Sequence, residues 1–472
     1  EWFTGLGTNQ EKLRAAEANK GLSGTLAPGD VVLIPSALLP DYLRSDDIPA
    51  LEAIEPPAET EGMAEAPPAP APSPEGETAE TPKEAALPPE ASELEYGSDK
   101  QGDYAVYRLK KGEALYSAVI ARFTDFSENK DIREACAAIQ KRSGIADVRK
   151  MEPGTKVLIP MDMLADRFHP KGSEQRAAFD EIQQETKKME SAKGKTKSKD
   201  LEGIVIILDA GHGGRDQGAA VDEAGLLEDE INYDIVCRIK RALETTRAKV
   251  LLTVLDPSEN YAPSTNKKFT HDQDEVLLTK PQYENYDARI SAYLRAFLVN
   301  SMYAKERKAG VPENKVLFAS IHCDCLFNEK MRGAMVYVPG AKYRRSSFTP
   351  TGSVYGKVDE AKGGTFSMNA SAFKRDEALS RTFAACLLQS FSSHKPKIPV
   401  HDTGDPIRNV IRQSGGRAYV PAVLNYTNVP AKVLVETANM TNPKDQALLA
   451  DPEWREAVAD AFVNALKGYF GS

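Results

Sequence analysis

Cysteine, tryptophan and histidine are scarce in this chain: its 472 residues include five Cys, two Trp and six His. Cys136, Cys237, Cys323, Cys325 and Cys386 are too few and too scattered for a disulfide framework, and an odd number leaves at least one thiol unpaired. Long hydrophobic runs are missing too. The longest aliphatic stretch, Ile204 to Leu208, falls far short of the roughly 20 residues of a spanning helix, so no membrane span is expected. Nor is there a basic surplus. The net charge is −9, and the segment from Ile48 to Leu94, with eleven Glu and a single Lys, accounts for −10 of it. The remainder, at +1, offers no domain-scale footprint for nucleic acid. The first residues show neither an initiator Met nor a basic-then-apolar leader; any signal peptide is expected to have been cleaved or to lie outside this sequence, and its absence here identifies no compartment.

What is present, 41% hydrophobic and 27% charged residues at a mean hydropathy of −0.43, fits a soluble globular protein of two to four domains. An internal echo stands out. Pro28-Gly29-Asp30-Val31-Val32-Leu33-Ile34-Pro35 recurs as Pro153-Gly154-Thr155-Lys156-Val157-Leu158-Ile159-Pro160, a turn entering a short strand that a second proline ends. Upstream of the second copy, Tyr104-Ala105-Val106-Tyr107 alternates as a strand, and Gly112-Glu113 leads into a helical stretch from Ala114. This strand, helix, helix, strand order resembles the lysin motif (LysM), which implies binding to N-acetylglucosamine-containing glycans. The first copy lacks a clear opening strand and reads as shortened or degenerate. Between the copies, residues 48–94 hold eleven Pro and eleven Glu and cannot bury enough apolar surface to offset the ordering entropy, so an extended tether is expected. A second connector carries a helix from Glu174 to Met189 and then a run of lysines, read as a solvated linker.

From Gly203 onward, apolar strands (Ile204 to Asp209, Lys249 to Val254, Val316 to His322, Ala334 to Val338, Lys432 to Glu436) alternate with amphipathic helices (Glu228 to Thr245, Tyr286 to Ala304, Arg375 to Phe391, Pro452 to Tyr469). That alternation predicts an α/β fold with a mixed, largely parallel sheet flanked by helices, whose ligands sit at the carboxyl ends of strands. Three strands end in polar residues where apolar ones would ordinarily continue. The first ends Asp209-Ala210-Gly211-His212-Gly213-Gly214, the third Ser320-Ile321-His322 and the last Leu434-Val435-Glu436, while Glu228 opens a helix. Two imidazoles and a carboxylate make the ligand set of a hydrolytic Zn²⁺ site with an open fourth position, and a spare carboxylate serves as general base and acid. His212, Glu228 and His322 are therefore expected on the metal and Glu436 as the base; chemistry alone also allows Glu228 and Glu436 to exchange roles. Asp209 and Asp216 read as supporting or turn-forming residues, Cys323 and Cys325 as packing, and His169, His271, His394 and His401 as surface histidines.

These motifs, with the helix start Glu228-Asp229-Glu230-Ile231-Asn232, resemble in order and context the zinc-dependent N-acetylmuramoyl-L-alanine amidases, over roughly residues 203 to 470. The resemblance implies cleavage of the amide between N-acetylmuramic acid and the L-alanine of the peptidoglycan stem peptide. It departs from the family after Glu436, where Thr437-Ala438-Asn439 replaces the usual glycine and phenylalanine, and in longer segments at Leu255 to Tyr286 and Gly340 to Arg375, the latter read as a mobile flap.

The expected order is a LysM-like module over 1–37, a flexible linker over 38–100, a second LysM-like module over 101–165, a helical then Lys-rich linker over 166–202 and the zinc amidase domain over 203–472. Peptidoglycan, glycan and stem peptide both, is the expected partner, in the bacterial periplasm or outside the cell; a regulatory envelope protein is left open. Three rival readings are a zinc peptidase acting within the stem peptide, a metal-free glycosidase using Glu228 and Glu436, which the two histidines disfavour, and a non-catalytic glycan-binding envelope protein.

Overall fold

The computed structural model describes residues 93–471, less 127–128, 194–198, 327–328, 363, 403 and 413–417, all within one unit, Lys83–Ser472. The first LysM-like copy and most of the acidic tether lie outside the described residues. Residues 95–99, assigned above to the end of that linker, are instead an edge strand: β1 (Glu95–Asp99) pairs antiparallel with β2 (Gly102–Arg108), which pairs antiparallel with β3 (Lys156–Pro160). Alternation in β2 and β3 sends Ala105, Tyr107, Val157 and Ile159 inward. There they meet Val119, Ile120 and Phe123 from the helical turns at 116–123, and Ile132 and Ile139 from α1 (Asn129–Arg142).

The connector that follows is not loose. Helix α2 (Glu174–Lys193) packs along α5 (Phe373–Ser393), with Lys374 Nζ 2.6 Å from Glu181 Oε2. The small module is itself fastened to the larger domain. Buried Asp125 faces Arg167 at 2.8 Å and Arg412 at 3.6 Å, and the Tyr343 hydroxyl donates to Asp166 Oδ2 at 3.3 Å. The arginines outweigh the cost of burial and hold the Asp125 carboxyl below its usual range. The side chains of the lysine run after Lys187, read above as a solvated linker, lie outside the described residues.

The larger domain is a six-stranded sheet. In chain order its strands are β4 (Val205–Ala210), β5 (Lys249–Leu252), β6 (Val316–Asp324), β7 (Met335–Tyr337), β8 (Ile407–Arg408) and β9 (Ala431–Asn439). Across the sheet they run β8-β7-β9-β6-β4-β5, parallel except where β7 meets β9. Central β4 is buried along its whole length, as a strand covered on both faces must be. On one face Ile206, Leu208, Ile321, Val433 and Val435 meet Ile231, Ile235 and Ile239 of α3 (Glu228–Glu244), Phe383 of α5 and Phe462 of α6 (Pro452–Phe470). On the other, Val205, Ile207, Phe318 and Leu434 meet Val299 of α4 (Ala288–Lys308) and Val423 and Leu424. The two-residue strand β8 had no sequence signal, since so short a charged segment carries no period.

The insertion at 340–375 is pinned rather than a free flap. Phe348 stacks on Tyr293 with ring centroids 4.5 Å apart, and buried Arg344 reaches Asp376 at 3.1 Å and the carbonyls of Asn425 and Thr427 at 3.2 Å. Two of the histidines expected at the surface are buried, His169 and His401. Burial, helped by the Arg408 charge, pushes His401 down to about 3, so it is neutral at physiological pH. Loop composition around them is polar, but packing of the module against the domain decided their environment.

Candidate metal centre

Parallel pairing brings the polar strand ends to one edge of the sheet. In the ladder His322 on β6 stands opposite Glu436 on β9, and Ser320 stands opposite Asp209 on β4. Side-chain alternation puts Asp209, Ser320, His322 and Glu436 on the same face. Beyond β4 the chain turns through Gly211 into His212, whose φ of +65° is in the left-handed region that a non-glycine residue seldom occupies. The turn has to be this tight. A Cβ on Gly211 would lie 2.2 Å from His322 Cε1, and one on Gly218 would lie 2.5 Å from Glu228 Oε2. We expect Gly211→Ala to displace the His322 ring and to lower turnover by about 100-fold, the scale of a roughly 1 Å misplacement. A steady-state assay alongside metal content checks this; turnover within a factor of two of the parent refutes the role given to the turn.

Three atoms able to hold a metal ion converge there. His212 Nε2 lies 3.2 Å and His322 Nδ1 3.1 Å from the same oxygen, Glu228 Oε1, and the two rings stand 5.0 Å apart at 81°. Glu228 Oε2 accepts from the Ala219 amide at 2.8 Å, and Asn232, one helical turn on, donates to the Gly211 carbonyl at 3.3 Å. The far nitrogens of the rings face further polar groups. His212 Nδ1 faces Asp216 Oδ2 at 3.0 Å, and His322 Nε2 lies 3.2 Å from Ser320 Oγ. Because Ser320 gives its one hydroxyl proton to Asp209 Oδ2 at 2.6 Å, it can only accept from His322 Nε2–H, which leaves a lone pair on Nδ1 directed at Glu228. Two acceptors at hydrogen-bond distance need a cation or a further proton between them. Burial disfavours charge on His212, but Glu228 and Asp216 overcome it and hold its pKa well above the ordinary value. Glu228 is correspondingly held well below its own, against burial, by His212 and His322.

The order of strands and helices, the site at the carboxyl edge and the motifs along it agree with a comparison against protein families. The family described as N-acetylmuramoyl-L-alanine amidase, Amidase_3, matches residues 206–468, more than half of the chain. The chain belongs to that family. It is accordingly a peptidoglycan amidase with an envelope or exported location. Solved structures that the chain matches include the CwlD amidase from Clostridioides difficile in complex with the GerS lipoprotein, at 19% identity and TM-score 0.35, covering 57% of this chain and 98% of that one. Another is the N-acetylmuramyl-L-alanine amidase Ami1 from Mycobacterium smegmatis, at 19% identity and TM-score 0.33, covering 58% and 99%. A comparison with curated proteins gave no match.

Two residues of this amidase domain escaped the sequence reading. Arg295 of α4, only 4% exposed, clasps the end of β4: it donates to Asp209 Oδ1, to the Ala210 carbonyl at 2.5 Å and to the His212 carbonyl. An arginine on a long amphipathic helix reads as a surface charge; the available signal was its i−4 and i+4 neighbours, Ser291 and Val299, both buried. Arg295→Lys keeps the charge but not the fork that spans a carboxylate and two carbonyls. We expect it to lower metal affinity about 10–100-fold, as loss of groups that orient ligands does, measured by competition with a chromogenic chelator; affinity equal to the parent's contradicts the clasp. The second residue is Glu275, from the 255–286 insertion, whose Oε2 accepts from the Gly214 amide at 2.7 Å.

Proposed function

We propose that the chain holds one zinc ion on His212, Glu228 and His322 and uses Glu436 to move the proton in hydrolysis of the bond between N-acetylmuramic acid and L-alanine. The observation that carries this reading is the convergence of two imidazole nitrogens and a carboxylate oxygen within 4.8 Å of one another, with Glu436 next to His322 in the ladder. Two nitrogens and one oxygen suit zinc, a borderline-soft ion that catalytic sites bind through three protein ligands. Bound zinc supplies Lewis acidity, polarising the lactyl carbonyl and lowering the pKa of a water toward about 7. The protein does the rest. Asp216 and Ser320 set which ring nitrogen points inward, and Arg295 fixes the His212 turn. Glu436 takes the proton of the attacking water as its oxygen bonds to the lactyl carbonyl carbon, then delivers it to the alanine nitrogen as the C–N bond breaks.

The strand, helix, helix, strand module at 102–160 supports a second part of the reading, that it holds glycan while the amidase domain cuts nearby, raising the local substrate concentration. The compartment that fits best is the periplasm; among the described residues no helix is long and apolar enough to cross a membrane. Digestion of purified peptidoglycan, followed by mass spectrometry, tests the assignment. Expected products are stem peptides with a free L-alanine amino terminus and glycan with intact lactyl groups, and a zinc chelator should suppress them. Cleavage inside the stem peptide instead points to the peptidase, and chelator-insensitive release defeats the zinc reading.

A further inference from the structure

Next to the histidines lies a second concentration of ligand atoms that the amidase chemistry does not use. It joins the first turn of α3 to the 255–286 insertion. Donor atoms of Glu230, Asp272 and Glu275 lie within 4.8 Å of one another, as do those of Asp256, Asp272 and Asp274 and those of Asp229, Glu230 and His271. A crowd of acids is common on protein surfaces, but this one is largely inside: Asp229 and Asp256 are 1% exposed, Glu275 2% and Glu230 5%. Each of these four keeps a buried oxygen with no hydrogen-bond partner, namely Asp229 Oδ1, Glu230 Oε1, Asp256 Oδ2 and Glu275 Oε1. Among the described residues none of Glu230, Asp256, Asp272, Asp274 and Glu275 pairs with Lys or Arg; Asp229 has only His271, at 3.0 Å. Packed carboxylates with no countercharge are costly to keep ionised and either take up protons or surround something positive.

We infer that this cluster is a binding site for a hard divalent cation, calcium, held by Glu230, Asp272 and Glu275 with Asp256 and Asp274 alongside. All of these donors are oxygens, which separates the cluster from the imidazole-rich site beside it. Calcium accepts six to eight oxygen ligands in irregular arrangements, whereas magnesium keeps most of its waters and is held by one or two carboxylates. So many carboxylates with so little exposure suit calcium. Asp272 is exposed and gives the ion a way in. The insertion is a fixed partner for α3. The Ser264 amide donates to Asp234 Oδ1 at 2.6 Å, and fully buried Arg455 bridges Asp234, at 2.5 Å, and the Asn266 carbonyl, at 2.8 Å. Calcium here would join the two segments that flank the histidine site, since Glu275 holds the Gly214 amide at 2.7 Å and Glu230 follows Glu228 by two residues.

The test uses the full chain loaded with zinc and freed of excess metal, so that added calcium cannot fill the histidine site. Calcium chloride is titrated in by calorimetry, and thermal unfolding is followed at about 100 times the measured Kd, where Tm should rise by roughly 5–10 °C. Asp272→Asn, at an exposed position that leaves the packing intact, and Glu230→Gln, which keeps the buried shape, should each lose at least half of that rise while retaining the zinc. No heat and no Tm shift with calcium overturns the inference, and so does a full shift in both variants. Equal stabilisation by magnesium at the same concentration overturns the choice of calcium. Zinc content, measured in parallel, reports on His212, Glu228 and His322, so failure of that site is told apart from failure of this one.

Discussion

On the proposed ligand assignment, Glu228→Ala is expected to empty the zinc site and to take amidase turnover with it. Both imidazoles direct a nitrogen at Glu228 Oε1, at 3.2 and 3.1 Å, so removing the carboxylate leaves two neutral ligands and no charge to offset a dication. Loss of a group that only orients a ligand weakens metal binding about 10–100-fold; loss of the one anionic ligand should exceed that range. Metal analysis after dialysis and a peptidoglycan release assay measure the two effects. A variant that still carries one zinc per chain and turns over within tenfold of the parent removes Glu228 from the ligand set.

Glu436→Gln should give the opposite pattern: zinc retained, and kcat lowered about 10²–10⁴-fold, the usual contribution of a positioned general acid–base. The amide keeps the size of the side chain and its place opposite His322 but cannot accept the proton. The two variants together settle the role exchange that chemistry alone permits. Were Glu436 a ligand and Glu228 the base, zinc would be lost from the Glu436 variant and kept by the Glu228 variant. A Glu436→Gln enzyme at more than half the parent kcat rules out proton transfer by this residue.

The candidate site was legible in the sequence because each member sits in a short local pattern. His212 lies in a run of glycines, His322 and Glu436 end strands that should have stayed apolar, and Glu228 opens a helix. The groups that steer those side chains were much less legible. Arg295 is 86 residues from Asp209 along the chain, and Glu275 is 61 residues from Gly214. No periodicity within a single element records such pairs. The buried acids of the insertion were hidden for a related reason. Asp272, Asp274 and Glu275 follow one another in a polar loop that reads as surface, and only its return onto the start of α3 buries Glu275 against Glu230.

By itself the sequence determined the α/β alternation, the long helices to within a few residues and the residue types able to hold a hydrolytic metal, because period, glycine placement and strand-ending polar residues are local properties of a chain. Tertiary structure alone decided that β6 lies between β4 and β9, so that His322 meets both the His212 turn and Glu436. It also decided that α2 docks on α5 and that His169 and His401 are buried. Burial and convergence depend on which surfaces come together, and that follows from minimising exposed apolar area over the whole domain rather than from any one segment.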